Sequence, residues 1–232
     1  MTMSGVGQRY QHVREELDAC CKANHRNPEE VALIAVSKTV GIPQVGEAIA
    51  AGATRFGENR PDQIVPKHEA YPEVEWHFIG NIQSRRIPEI VAAASLIHSV
   101  CKVEHFAKID AAAQKLGKVQ GILLEINVSG EASKSGFSPQ QAAEALLAAD
   151  EFEHLKVEGL MTMAPQGDLD AADACFAGLA ALRDSLREVE LPRQGHAELN
   201  ELSMGMSEDW HLAIAHDATM VRIGRAVFSE DF

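Results

Sequence analysis

The chain has 232 residues, of which 46% are hydrophobic and 24% charged, enough for one substantial core and ordinary for a soluble globular protein. Twenty-one basic against 34 acidic residues leave a formal net charge of −13. Such a surface repels nucleic acid and anionic membranes, so neither is an expected partner, and any anionic ligand needs a local cluster of donors.

In chain order, residues 4–25 read as an amphipathic helix, with Val6, Tyr10, Val13, Leu17 and Cys20/Cys21 at three- and four-residue steps. The run Val31–Val36 follows, apolar and β-branched, and predicts a strand buried on both faces that stops at Ser37-Lys38-Thr39. Pro43 opens a short helix, Gln44–Ala51, closed by Gly52. Thr54–Phe56 reads as a second strand running into Gly57-Glu58-Asn59, then a helix over 62–70 and a third strand, Glu75–Ile79. A basic piece, Gln83–Arg86, and a helical Pro88–Ala94 lead to a fourth strand, Leu96–Val100.

The second half repeats the alternation. A helix over Val103–Leu116 precedes the strand Gly121–Val128, which ends in the polar loop Ser129–Gly136. Ser138-Pro139 starts a helix to Ala149, with serine at the cap and proline in the first turn. Then come a strand over Val157–Met163, a long helix from Asp168 or Asp170 to Glu188, a strand over Glu201–Met204, a helix starting at Ser207, and a last strand, Met220–Gly224. Eight strands alternating with helices predict an α/β fold: a closed (β/α)8 TIM barrel with an extra N-terminal helix, in one domain over residues 1–232. An open doubly wound sheet is the rival, and its dinucleotide form is weak because no Gly-x-Gly-x-x-Gly follows the first strand.

Cys20, Cys21, Cys101 and Cys175 include an adjacent pair and no CxxC, which suits a reduced, cytoplasmic setting. No run reaches the ~20 apolar residues of a membrane span. His211 and His216 stand five apart, a poor helical spacing for shared ligation, so no metal site is expected.

Lys38 ends a buried strand, and in a parallel barrel that end opens on the active site. A desolvated lysine there loses preference for its charged form, and the neutral amine can attack an aldehyde. The plain alternative is a lysine that reaches the rim and pairs with a carboxylate. Asn59, His77, His98, Asn127, Met161, Met163, Ser203 and Arg222 are the other side chains expected at strand ends. Two segments among them are sharper. Ser203-Met204-Gly205-Met206-Ser207 alternates small residues with methionine between a strand and a helix, and Arg222-Ile223-Gly224-Arg225 puts a glycine turn between two cations. Barrels often bind phosphate with the loops after strands seven and eight. With Lys38 expected across the mouth from them, a phosphorylated aldehyde such as pyridoxal 5′-phosphate (PLP) accounts for all three.

The segments Val36–Thr39, Phe56–Asn59, Trp76–Gly80 with Gln83-Ser84, Ser133–Gly136, Gly159–Met161, Ser203–Ser207 and Met220–Gly224 occur in an order that resembles the pyridoxal phosphate homeostasis protein family, single-domain proteins similar to the N-terminal domain of alanine racemase. The resemblance implies PLP as an internal aldimine on Lys38. It implies a phosphate cradle at Ser203, the Gly205–Ser207 backbone and the Gly224–Arg225 turn, with Arg222 near the ring nitrogen, Asn59 flanking the ring, and His77 and Met204 among the cofactor contacts. It also implies a second PLP contact at Lys134, a role in buffering and delivering PLP to apo-enzymes, and a monomer or weak dimer. Several positions depart from the family pattern: Arg60-Pro61-Asp62-Gln63 after the Gly-Glu-Asn, Arg85-Arg86, Cys101 in place of a carboxylate, and Arg225 in place of a small hydroxyl residue.

Racemase chemistry needs an acid/base group on each face of the substrate carbon. The two tyrosines, Tyr10 and Tyr71, sit in the N-terminal helix and before the third strand, poor places for such a base. An arginine beside the pyridine nitrogen leaves that nitrogen unprotonated and disfavours carbanions. A carrier with little turnover is therefore expected, with a racemase-like enzyme or a Schiff-base aldolase acting on a phosphosugar as alternatives.

Overall fold

A computed structural model describes residues 5–231, so position 4 of the expected first helix and the outermost ends of the expected domain lie outside it. Eight strands are β1 (Ala32–Val36), β2 (Arg55–Glu58), β3 (Glu75–Phe78), β4 (Leu96–Val100), β5 (Gln120–Glu125), β6 (Leu155–Met161), β7 (Glu201–Met206) and β8 (Met220–Ile223). Each pairs in parallel with its neighbours, and β1 pairs with both β2 and β8, so the sheet closes on itself. The expected barrel is the observed one, and the open sheet is excluded.

Helices cover the outside: α1 (Val6–Ala23), α2 (Ile42–Ala50), α3 (Pro61–Ala70), α4 (Ile87–Ala93), α5 (Phe106–Lys115), α6 (Ala142–Ala149), α7 (Leu169–Arg187), α8 (Trp210–Ala215) and α9 (Arg225–Phe228). Helix α7 starts where an acceptor is available for its first free N–H: the Asp168 carboxylate takes the Ala171 N–H at 2.9 Å. Helix α1 closes over the chain's other end, because the buried Arg9 Nε donates to the Val227 carbonyl at 3.0 Å. A two-stranded ribbon, Glu190–Leu191 with Gly195–His196, was not anticipated; each arm is two residues long, too short for alternation to show. No helix among the described residues is long and apolar enough to cross a membrane.

Most of the apolar core lies between sheet and helices, where Phe56 and Trp76 stack with ring centres 5.2 Å apart. Inside the barrel, a separate and smaller apolar cluster is formed by Ile34, Leu96, Leu123, Met161 and Met220. The space that larger aliphatic side chains fill in many barrels is taken here by buried polar groups.

Candidate functional site

Side chains alternate along β1. Ala32 and Ile34 meet the interior cluster, while the Ser37 hydroxyl points outward and donates to Glu58 at 2.7 Å. The ladder runs one residue past the strand, with Ser37 N–H donating to the Gly57 carbonyl at 3.0 Å. The interior side therefore falls to Lys38, at the C-terminal mouth. Its side chain is exposed there, so protein burial does not provide the desolvation expected for it.

What fixes Lys38 is the backbone below it. The Lys67 ammonium of α3 donates to the Ser37 carbonyl at 2.9 Å and to the Glu58 carboxylate, which also receives the Ser37 hydroxyl. Lys67 is 2% exposed and Glu58 0%. This buried pair lies behind the strand end and clamps the residue before Lys38. Glu58 ends β2 one position before Asn59, whose N–H it accepts at 3.3 Å. Asn59 shares the interior parity of Gly57, and its Oδ1 is buried with no hydrogen-bond partner among the described residues. Gly80 is forced by the same corner: a Cβ there would stand far inside contact distance of the Asn59 carbonyl. Gly80→Ala should push Asn59 out of place and cost about 1–3 kcal/mol, read from the urea unfolding midpoint. An unchanged midpoint would mean that the corner is soft.

Closure of the barrel corrects one expectation. Strand β8 lies beside β1, with Ala35 level with Ile223, and β7 lies beside β8, with Arg222 level with Met206. Lys38 and the two glycine-containing segments are thus adjacent sectors of one rim, not opposite sides of the mouth. Gly205 has φ 90°, and a Cβ there would sit 2.8 Å from Trp210 Cα, so the glycine lets α8 close against the strand. Helix α8 begins at Trp210, three residues later than expected, because a turn over 207–209 intervenes and Asp209 accepts the Met206 N–H at 2.6 Å. Ser207 is in that turn and half-buried. Met204 points into the outer core, so only its backbone faces the rim. The exposed Arg225 guanidinium reaches Glu208 at 2.5 Å and ties the two loops together.

Arg222 is the buried cation of the site, 5% exposed, with Nη1 donating to Ser203 Oγ at 2.6 Å and Nη2 to the Thr162 carbonyl at 3.0 Å. Burial pulls its pKa down to about 10, while Asp209 and Glu125 favour the charge. Glu125, buried in the interior, is pushed up by desolvation against the pull of Arg222. Asp209, Glu125 and Thr162 were not anticipated around Arg222. A parity reading of β5 would have turned Glu125 inward, two residues from the interior Leu123.

Two expected residues belong elsewhere. The Ser203 hydroxyl is held between Arg222 and His98 inside the barrel, so it does not face the loops above. His77 is not at the C-terminal mouth. The stagger of β3 sets it level with Gly57 and with Leu96, the first residue of β4, and it borders a cavity of about 290 Å³ at the opposite, N-terminal mouth. Lys134, in the loop after β5, donates to the Met163 carbonyl at 3.1 Å and lies on the same rim as Lys38, beyond β7 and β6. Asn127, expected at a strand end, is spent on that loop, its amide donating to the Glu131 carbonyl at 2.9 Å. Among the described residues no group of three or more histidine, cysteine or acidic side chains could hold a metal ion.

The model of the alanine racemase N-terminal domain matches residues 15–231. A pyridoxal phosphate homeostasis protein of Aquifex aeolicus is 35% identical over 96% of this chain and 97% of its own length. The chain belongs to this family. The pyridoxal phosphate homeostasis protein of Escherichia coli K12 is 31% identical over 97% of each chain. Among solved structures, PipY of Synechococcus elongatus with PLP bound superposes with a TM-score of 0.79 at 31% identity, over 92% of this chain and 99% of that one. Alanine racemase of Corynebacterium glutamicum shares the fold at 15% identity and a TM-score of 0.72, and this chain covers 60% of it.

Proposed function

We propose that this chain binds pyridoxal 5′-phosphate at the C-terminal mouth, holds its aldehyde on Lys38 as an imine with release of water, and serves to buffer and deliver PLP with little turnover of its own. The observation that carries the reading is the shared rim: one open, inward lysine beside two glycine-containing loops, over a buried guanidinium. PLP bound to PipY and the homeostasis role in the relatives' names support it.

The residues present fit the group. The orphaned Asn59 Oδ1 offers an acceptor beside the ring, and the backbone of Met204, Gly205 and Ser207 with the Gly224–Arg225 turn offers N–H groups for the phosphate. Arg222 lies beneath, toward the ring nitrogen. Bound PLP supplies an electrophilic aldehyde and an electron-withdrawing ring. A guanidinium that cannot accept a proton keeps that ring a weak electron sink, which suits storage better than carbanion chemistry. Ser203 and His77 are left out of direct contact, since their polar atoms are engaged or face the other mouth. Lys134 is the second PLP contact, and apo-enzymes are the recipients. Tyr10 lies in the outer core and Tyr71 packs against it and against Gly46, so neither stands over the mouth as a racemase base.

The test is spectroscopic and covalent. Purified protein given PLP should develop a visible imine band, and borohydride should then fix pyridoxyl mass on the peptide containing Lys38. Label on another lysine, or a protein that stays colourless, would sink the assignment and favour a phosphosugar lyase. Turnover of D- and L-amino acids far above that of free PLP, and lost in Lys38→Ala, would establish an enzyme instead.

A further inference from the structure

The barrel interior contains a run of hydrogen bonds that leads away from the proposed site. Arg222 Nη1 meets Ser203 Oγ at 2.6 Å, Ser203 Oγ meets His98 Nδ1 at 2.8 Å, and His98 Nε2 meets His77 Nδ1 at 2.8 Å. The hydrogen bonds stop there: His77 Nε2 has no hydrogen-bond partner among the described residues, but it faces the Glu75 carboxylate across 3.7 Å, and Glu75 is itself held by Arg55 at 2.8 Å. Ser203 and His98 are fully buried, and His77 is 2% exposed. Glu75 is half exposed on the N-terminal cavity, which Arg55 and Glu201 also line.

One order of donors gives every proton in this run an acceptor or a carboxylate to face, and the chemistry of the two ends favours it. A guanidinium only donates and an ionised carboxylate only accepts. Arg222 therefore donates to Ser203, whose own O–H is left to donate to His98 Nδ1. That makes His98 the Nε2–H tautomer, which donates to His77 Nδ1. His77 is then also Nε2–H, with its proton directed at Glu75. Both rings must be neutral for this order, and burial pushes both pKa values down, His98 the further because His77 and Arg222 also oppose its charge.

We propose that His77 and His98 are positioning residues that lock the Arg222 guanidinium through a one-way chain of donors, and that this chain makes cofactor retention at the C-terminal mouth depend on Glu75 at the N-terminal mouth. The proposal rests on Arg222 lying against the bound PLP ring. Two unrelated buried histidines would satisfy each other without this polarity. The chain spans residues far apart in sequence, because the closed sheet turns β3, β4, β7 and β8 inward together.

Three measurements decide it. Nitrogen-15 NMR of the protein without PLP at pH 7 should show His77 and His98 both neutral and protonated on Nε2; a charged ring or an Nδ1–H tautomer at either overturns the polarity. His98→Leu should release PLP about tenfold faster or more and shift the visible maximum, whereas His98→Gln, which can accept and donate at the same two points, should recover most of both. Unchanged release and spectrum in a folded His98→Leu protein overturn the proposal. Glu75→Ala touches no core volume and should accelerate release in the same direction by a smaller factor; no change there overturns the coupling between the mouths. A wild-type protein that takes up no PLP overturns the functional reading itself, and the tautomers still decide the chain.

Discussion

Lys67→Ala should destabilise the fold by about 3–5 kcal/mol, the range for removing one partner of a buried ion pair. The ammonium is 2% exposed and serves two acceptors at once, the Ser37 carbonyl at 2.9 Å and the Glu58 carboxylate. Without it Glu58 stays buried, with the Ser37 hydroxyl at 2.7 Å and the Asn59 N–H at 3.3 Å as its remaining donors. Those two hydrogen bonds do not replace a full charge in a site walled by β1, β2 and α3. Urea unfolding measures the loss, and a change under about 1 kcal/mol would show the pair to be offset by its own desolvation. The double variant Lys67→Met with Glu58→Gln should recover much of the loss, because no unpaired charge is left behind. Since the clamp holds the carbonyl just before Lys38, any folded Lys67 variant should also take up PLP more slowly than the parent. Equal uptake would confine the clamp to stability.

The elements that carry the proposed site were legible because their signals are local. The apolar run of β1 and its terminal lysine follow from residues 31–38 alone, and the two glycine-containing segments stand next to strands whose patterns are clear. What escaped depends on register and closure. Nothing near His77 in sequence says that β3 is staggered, so its place low in the barrel could not be read. His98 and Ser203 are 105 positions apart, and Ser37 and Lys67 are 30 apart; neither pair leaves a periodic trace. Ser203 read as a strand-end hydroxyl because the strand was expected to end at Met204, whereas it runs to Met206 and leaves Ser203 deeper in the barrel. The late start of α8 has a similar cause, since Asp209 caps a turn through the Met206 N–H and delays the helix. Placing Lys38 across the mouth from the loops neglected a rule of closed eight-strand sheets: the first strand and the last are neighbours.

Lys38→Ala should separate binding from folding. The side chain is exposed and has no core volume to lose, so the melting temperature should stay within about 2 °C of the parent. The chemistry should change completely. With no amine at position 38 the imine band should be absent, and borohydride should fix no pyridoxyl group on that peptide. Retention without the covalent bond should then fall to the proposed phosphate contacts of residues 204–207 and 224–225 and the proposed place of Arg222 beneath the ring, so PLP should still bind, more weakly, and inorganic phosphate should displace it. Dialysis against phosphate with fluorescence detection of released PLP reads this directly. A fully coloured Lys38→Ala protein would transfer the covalent role to another amine, with Lys134 on the same rim as the first to map. A variant that melts far below the parent would instead make Lys38 part of the structural closure between β1 and β8, and the open, inward amine would lose its meaning as a binding group.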